Sequence, residues 1–168
     1  PGNATARYFY RAPDLEALSR LEPRIRACFE AGALATGATL EIQPLGPPYS
    51  EFAHDLDLVA KYRNNAEALG RTFDSTPRRG AGSTDMANVS LLMPTIHPML
   101  GLDSGSAVNH QPEFAAYCRT PVADKAAVEG ALAMALTAVD AATDESTRAR
   151  LLSHETSYSG AEAYPWSF

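Results

Sequence analysis

The apolar positions fall into short, separated stripes whose spacing changes along the chain. Residues 6–11 read Ala-Arg-Tyr-Phe-Tyr-Arg, an aromatic run flanked by charge, which predicts a strand. Pro13 then occupies a first helical position, with Asp14 and Glu16 placing negative charge at the helix start. Leu15, Leu18, Leu21, Ile25, Cys28, Phe29, Gly32 and Ala33 recur at three- and four-residue intervals. Gly37 offers a C-terminal cap, so the spacing predicts a helix that Pro23 kinks or splits. Residues 39–43 alternate, with Leu40 and Ile42 on one face, and read as a half-exposed strand.

Pro44-Leu45-Gly46-Pro47-Pro48 cannot continue regular structure. It divides the chain into expected domains at residues 1–45 and 46–168. Residues 50–69 form the next helical pattern, with Phe52, Leu56, Val59, Tyr62, Ala66 and Leu69 as its stripe and Gly70 as its stop. The run Asn88-Val89-Ser90-Leu91-Leu92-Met93, ended by Pro94, predicts a buried strand. Residues 95–108 read as loop, and residues 114–118 as a short strand or a loop. Thr120 and Pro121 open a long helix in which Val128, Ala131, Leu132, Ala135, Leu136 and Val139 form the expected core-facing surface. A short last helix runs through Leu151 and Leu152, and Tyr164-Pro165-Trp166 is apolar enough to dock. Strand, helix and strand in succession predict an α/β fold.

Composition narrows the function. The chain has 168 residues, 45% of them hydrophobic and 20% charged, enough to bury a sizeable core. A net charge of −6 argues against nucleic acid or an anionic membrane as a general partner, with Arg78 and Arg79 the only adjacent basic pair. No apolar run is read as approaching the length of a membrane span, and the N-terminus carries no signal-peptide pattern of basic residues before an apolar stretch. A soluble, cytoplasmic protein is the expectation. Cys28 and Cys118 lie far apart and read as small buried hydrophobes. The chain opens with Pro1 directly before its first strand pattern, as a segment from inside a fold would.

Candidate chemistry concentrates in Gly80-Ala81-Gly82-Ser83-Thr84-Asp85 and, further on, in Asn109-His110-Gln111-Pro112. Glycines before a hydroxyl pair and a carboxylate suit a loop where backbone approaches a ligand. His110 reads as a metal ligand or as a solvated loop histidine. Asp85 either caps the following segment or orients a ligating histidine. Ser83 has no base in a recognisable arrangement, so it is not read as a nucleophile. His97 either lines the same pocket or is structural. His54 and Asp57 share a helix face that is most simply solvated, and His154 lies in the polar tail. Arg63, Asn64 and Asn65 read as a surface group, or Arg63 as a partner for a substrate carboxylate. None of the zinc-helix, paired-cysteine, phosphate-loop or nucleophile-elbow motifs occurs.

In their order, Gly82-Ser83-Thr84-Asp85-Met86-Ala87-Asn88-Val89-Ser90, Met93-Pro94-Thr95-Ile96-His97-Pro98 and Asn109-His110 resemble the C-terminal catalytic segment of the dinuclear-zinc amidohydrolases and peptidases. That family includes aminoacylase, carboxypeptidase G, aminobenzoyl-glutamate hydrolase and β-alanyl-lysine dipeptidase, the last two being the nearest in character. Residues 6–37, with Arg11-Ala12-Pro13 and Ala33-Leu34-Ala35-Thr36-Gly37, resemble the second half of the family's small lid or dimerisation domain. The resemblance implies an α/β lid followed by the end of an α/β catalytic domain. It also implies two zinc ions, or other divalent metals, per complete site and hydrolysis of a small amide or peptide by metal-activated water.

Carried over by position, His110 matches the last metal ligand, and Ser83, Thr84 and Asp85 match the turn that shapes the pocket floor; with His97 these three are the expected substrate-binding or ligand-orienting residues. The family's His-x-Asp ligand motif, its Glu-Glu pair and its lid histidine have no counterpart, so no catalytic residue is assigned. The chain alone is expected to be inactive. A homodimer is expected, through the edge strand at residues 6–11. The alternative is a non-catalytic binding or dimerisation module derived from the same family.

Overall fold

The computed structural model describes residues 2–73 and 82–153. Gly80, Ala81, Arg78, Arg79, His154 and the Tyr164-Pro165-Trp166 tail lie outside the described residues. Six helices are present among them: α1 (Leu15–Thr36), α2 (Leu56–Ala68), α3 (Met86–Ser90), α4 (Pro112–Tyr117), α5 (Pro121–Thr143) and α6 (Glu145–Leu152). The chain divides into two compact units, residues 1–52 with 82–88, and residues 53–81 with 89–168.

The first unit is built on α1. Asp14 caps it by accepting from the Ala17 N–H at 2.7 Å, and the Glu51 carboxylate accepts from the Leu15 N–H at 3.0 Å. Two of the orphan amides at the helix start are thereby satisfied. Gly37, at φ 66°, closes the other end, with Ala38 donating to the Ala33 carbonyl at 3.0 Å. The helix runs through Pro23 as one element instead of splitting. The segment before it docks through Tyr8, whose ring lies 5.0 Å from that of Phe29.

Residues 6–11 and 39–43 were expected to be strands, and among the described residues neither forms one. Alternation selects which face of a strand is apolar, but a strand exists only where a second segment pairs with it. The one β-type contact described is an isolated parallel bridge between His54 and Thr95. The described residues are therefore helical and carry no strand of the expected α/β sheet. Residues 88–93 are a correction of a different kind. The run begins inside α3, with Ala87, Ser90 and Leu91 buried. A short apolar run does not distinguish a buried strand from a buried turn of helix. Residues 114–118 likewise fall mostly in α4, which Pro112 opens at its first turn.

The second unit is organised by α2 against α5. α2 begins at Leu56 and not near residue 50, because Asp55 caps it through the Leu58 N–H at 3.0 Å. Gly70, at φ 85°, follows its end as expected. Tyr62 and Ala66 pack with Ala133, and Leu69 and Ile96 complete the cluster. Asn65 donates to Asp140 at 2.7 Å and to the Thr137 hydroxyl at 3.4 Å, tying the two helices in register. α5 thus buries Ala126, Gly130, Ala133, Thr137 and Ala141. Its Val128, Leu132, Leu136 and Val139, the expected core-facing stripe, are exposed. At Gly130 the Leu100 side chain fills the space a Cβ would need. α5 is apolar on both sides, and by length and composition it could cross a membrane, with a mean hydropathy of 1.3. Its alanines concealed that property in the sequence. Both cysteines are also exposed, against expectation.

An ionic cluster fastens α6 to α2. Arg150 donates to Asp55 at 3.0 Å and to Asp57 at 3.2 Å, and the Thr147 hydroxyl donates to Asp57 at 2.7 Å. Lys61 lies 3.4 Å from Asp57 and 3.5 Å from Asp144. The Thr147 hydroxyl and the Arg150 and Lys61 cations hold the Asp57 carboxyl below its ordinary value, burial opposing them. The Thr147 N–H and the Ser146 hydroxyl hold Asp144 lower still. Arg150 is raised by its bond to Asp55. Burial works against the Lys61 charge, but Asp57 and Asp144 outweigh it and raise the group.

Two predictions follow from this packing. Ala133→Leu should lower stability by about 1–3 kcal/mol through overpacking. Val139→Ser should change it by less than about 0.5 kcal/mol in dilute solution, and urea titration separates the two. Because the Asp57 and Asp144 carboxyls are depressed in the folded chain, their contribution is present above the unfolded value of 3.8 and lost as pH falls through the folded values. The urea midpoint should therefore fall on acidification below about pH 4, and less so in Asp57→Asn.

Candidate functional site

In the first unit the residues Gly82, Ser83, Thr84 and Asp85 make the approach to α3. The Thr84 hydroxyl accepts from the Met86 N–H at 3.3 Å and donates to the Asp85 carboxylate at 3.4 Å. The cap expected of Asp85 is thus carried by its neighbour Thr84. Asp85 is exposed and holds the Thr84 hydroxyl in place. Arg11 donates to the Ser83 hydroxyl at 3.0 Å, which occupies that oxygen with a cation and not with a base. Ser83, Thr84 and Asp85 are therefore brought together as one hydrogen-bonded turn.

Asn88 is the residue the sequence reading missed here. Its side-chain carbonyl accepts from the Ser50 N–H at 3.3 Å and its amide donates to the Pro48 carbonyl at 3.1 Å. Both ends of one amide satisfy the backbone of the proline-rich segment, where a proline cannot supply a donor. Nothing in the local pattern around Asn88 announces a partner so far upstream.

The histidines belong to the second unit. His97 is exposed, beyond the Thr95 that pairs with His54. His54 was expected on a helix face with Asp57, but it precedes α2, and Asp57 is engaged by Thr147, Arg150 and Lys61. His110 is exposed and sits at φ 67°, the only non-glycine residue with positive φ among the described residues. The cause is local. Gln111 precedes Pro112 and is held extended at φ −119° and ψ 152°. The turn into α4 therefore falls on His110. A left-handed residue other than glycine is strained. Among the described residues, no three His, Cys, Asp or Glu side chains converge as a metal-ion cage.

A cleft of about 410 Å³ lies in the second unit, lined by Tyr62, Arg71, Phe73, Leu100 and Asp103 among others. Arg71 donates to the Gly101 carbonyl at 2.9 Å and pairs with Glu129 at 2.9 Å, and its Nε is buried without a hydrogen-bond partner. Burial raises the Tyr62 phenol, Arg71 opposing it. Arg63, read as a surface group or a carboxylate partner, instead lies over the Phe73 ring at 5.0 Å. Arg71 and Glu129 are far apart in sequence, so neither announces the other.

Asn88→Ala should lower stability by about 1–2 kcal/mol through loss of its two bonds. Amide exchange near Ser50 should quicken in the same variant, and unchanged exchange would contradict the latch.

No protein-family model matches the chain. The chain is similar to the Xaa-Arg dipeptidase of Mus musculus, 33% identical over 136 residues that make up 79% of this chain and 31% of the relative. It is similar in the same proportions to the Xaa-Arg dipeptidase of Homo sapiens, 34% identical over 136 residues. The chain spans about a third of the length of these curated relatives. A likeness of this extent to two dipeptidases supports a peptidase or amidohydrolase origin for the chain.

Proposed function

We propose that this chain is the C-terminal portion of a metal-dependent amidohydrolase or peptidase that cleaves the amide bond of a dipeptide, an N-acyl amino acid or an aminobenzoyl-glutamate-like substrate. The observation that carries the reading is its similarity to two Xaa-Arg dipeptidases over 136 residues. His110 is the metal ligand the chain contributes. It stands exposed on a left-handed turn that the extended Gln111 and Pro112 set. In this reading Ser83, Thr84 and Asp85 are substrate-binding or ligand-orienting positions of the first unit, and His97 is one of the second. Residues 6–11 and 39–43 find their partner strands in the rest of the enzyme.

The described residues do not fit a complete two-zinc site by themselves, because His110 has no convergent ligands among them. No catalytic step is therefore assigned to this chain alone. Its part is to present one imidazole from the second unit.

The purified chain should hold less than one tightly bound zinc by metal analysis after dialysis, and two per chain would overturn the division of ligands. In the enzyme-length protein, His110→Ala should abolish dipeptide hydrolysis with the circular dichroism spectrum unchanged. Full activity in that variant would remove His110 from the site. His110→Gly should raise the stability of the chain by about 0.5–1 kcal/mol by relieving the left-handed backbone. A drop would show that the imidazole itself supports the fold.

A further inference from the structure

We draw no further inference here: the strongest candidate, the open cleft of the second unit around Arg71, Phe73, Leu100 and Asp103, has its guanidinium already engaged by Gly101 and Glu129, and nothing in the structure shows what covers it in a chain that spans about a third of its relatives' length.

Discussion

The second unit depends on the close approach of α2 to α5, which the small residues of α5 allow. Ala133, 1% exposed, meets Tyr62 and Ala66, and no bulky aliphatic from α5 enters this cluster. Small side chains bring backbones near but remove little apolar area from water, so each burial contributes modestly. Register then has to come from polar contacts. Asn65 supplies it by donating to both Asp140 and Thr137, while the Thr137 hydroxyl donates back to the Ala133 carbonyl at 2.7 Å. With such a lean seam, the Asp55, Asp57 and Arg150 cluster matters more than a surface ion pair usually does. Asp55 is only 8% exposed, and losing its guanidinium partner would leave a nearly buried carboxylate.

What was legible in the sequence is what neighbours along the chain decide. Gly37 closes α1, and Thr120 and Pro121 open α5, by capping chemistry within a turn of the end, whereas α1 starts at Leu15 under an Asp14 cap and not at Pro13. The start of α2 was misplaced because Phe52 continues the apolar period before Asp55 caps the helix. The inner face of α5 was inverted for a related reason. Both of its faces are apolar, so the larger residues were assigned inward, while the packing of α2 selects the smaller ones. The strands at 6–11 and 39–43 failed on a non-local condition, the presence of a partner, which no pattern within the segment encodes.

The site was legible to a different degree. His110 stood out by isolation, and Gln111-Pro112 contained the reason for its backbone, since the residue before proline is forced extended. Asp85 was the cap candidate, and the hydroxyl of Thr84, two residues before the helix, accepts the Met86 N–H in its place. Asn88 and Arg71 were illegible, as each is defined by a partner distant in sequence. The likeness to Xaa-Arg dipeptidases covers 136 residues, 79% of the chain. The local geometries say which residues are already committed to structure, as Asn88 and Arg71 are.

His110 is exposed, and the path from it into the next helix is short. It precedes the extended Gln111, which enters α4 directly. α4 ends in a tight turn, where Cys118 donates to the Phe114 carbonyl at 3.0 Å and Thr120 donates to the Tyr117 carbonyl through both its N–H, at 3.1 Å, and its hydroxyl, at 2.8 Å. Thr120 is also the cap of α5. The backbone after His110 thus passes through the extended Gln111, α4 and its closing turn to the cap of α5. The left-handed turn at His110 is set by its nearest neighbours, Gln111 and Pro112, and not by packing, since α4 buries none of its residues.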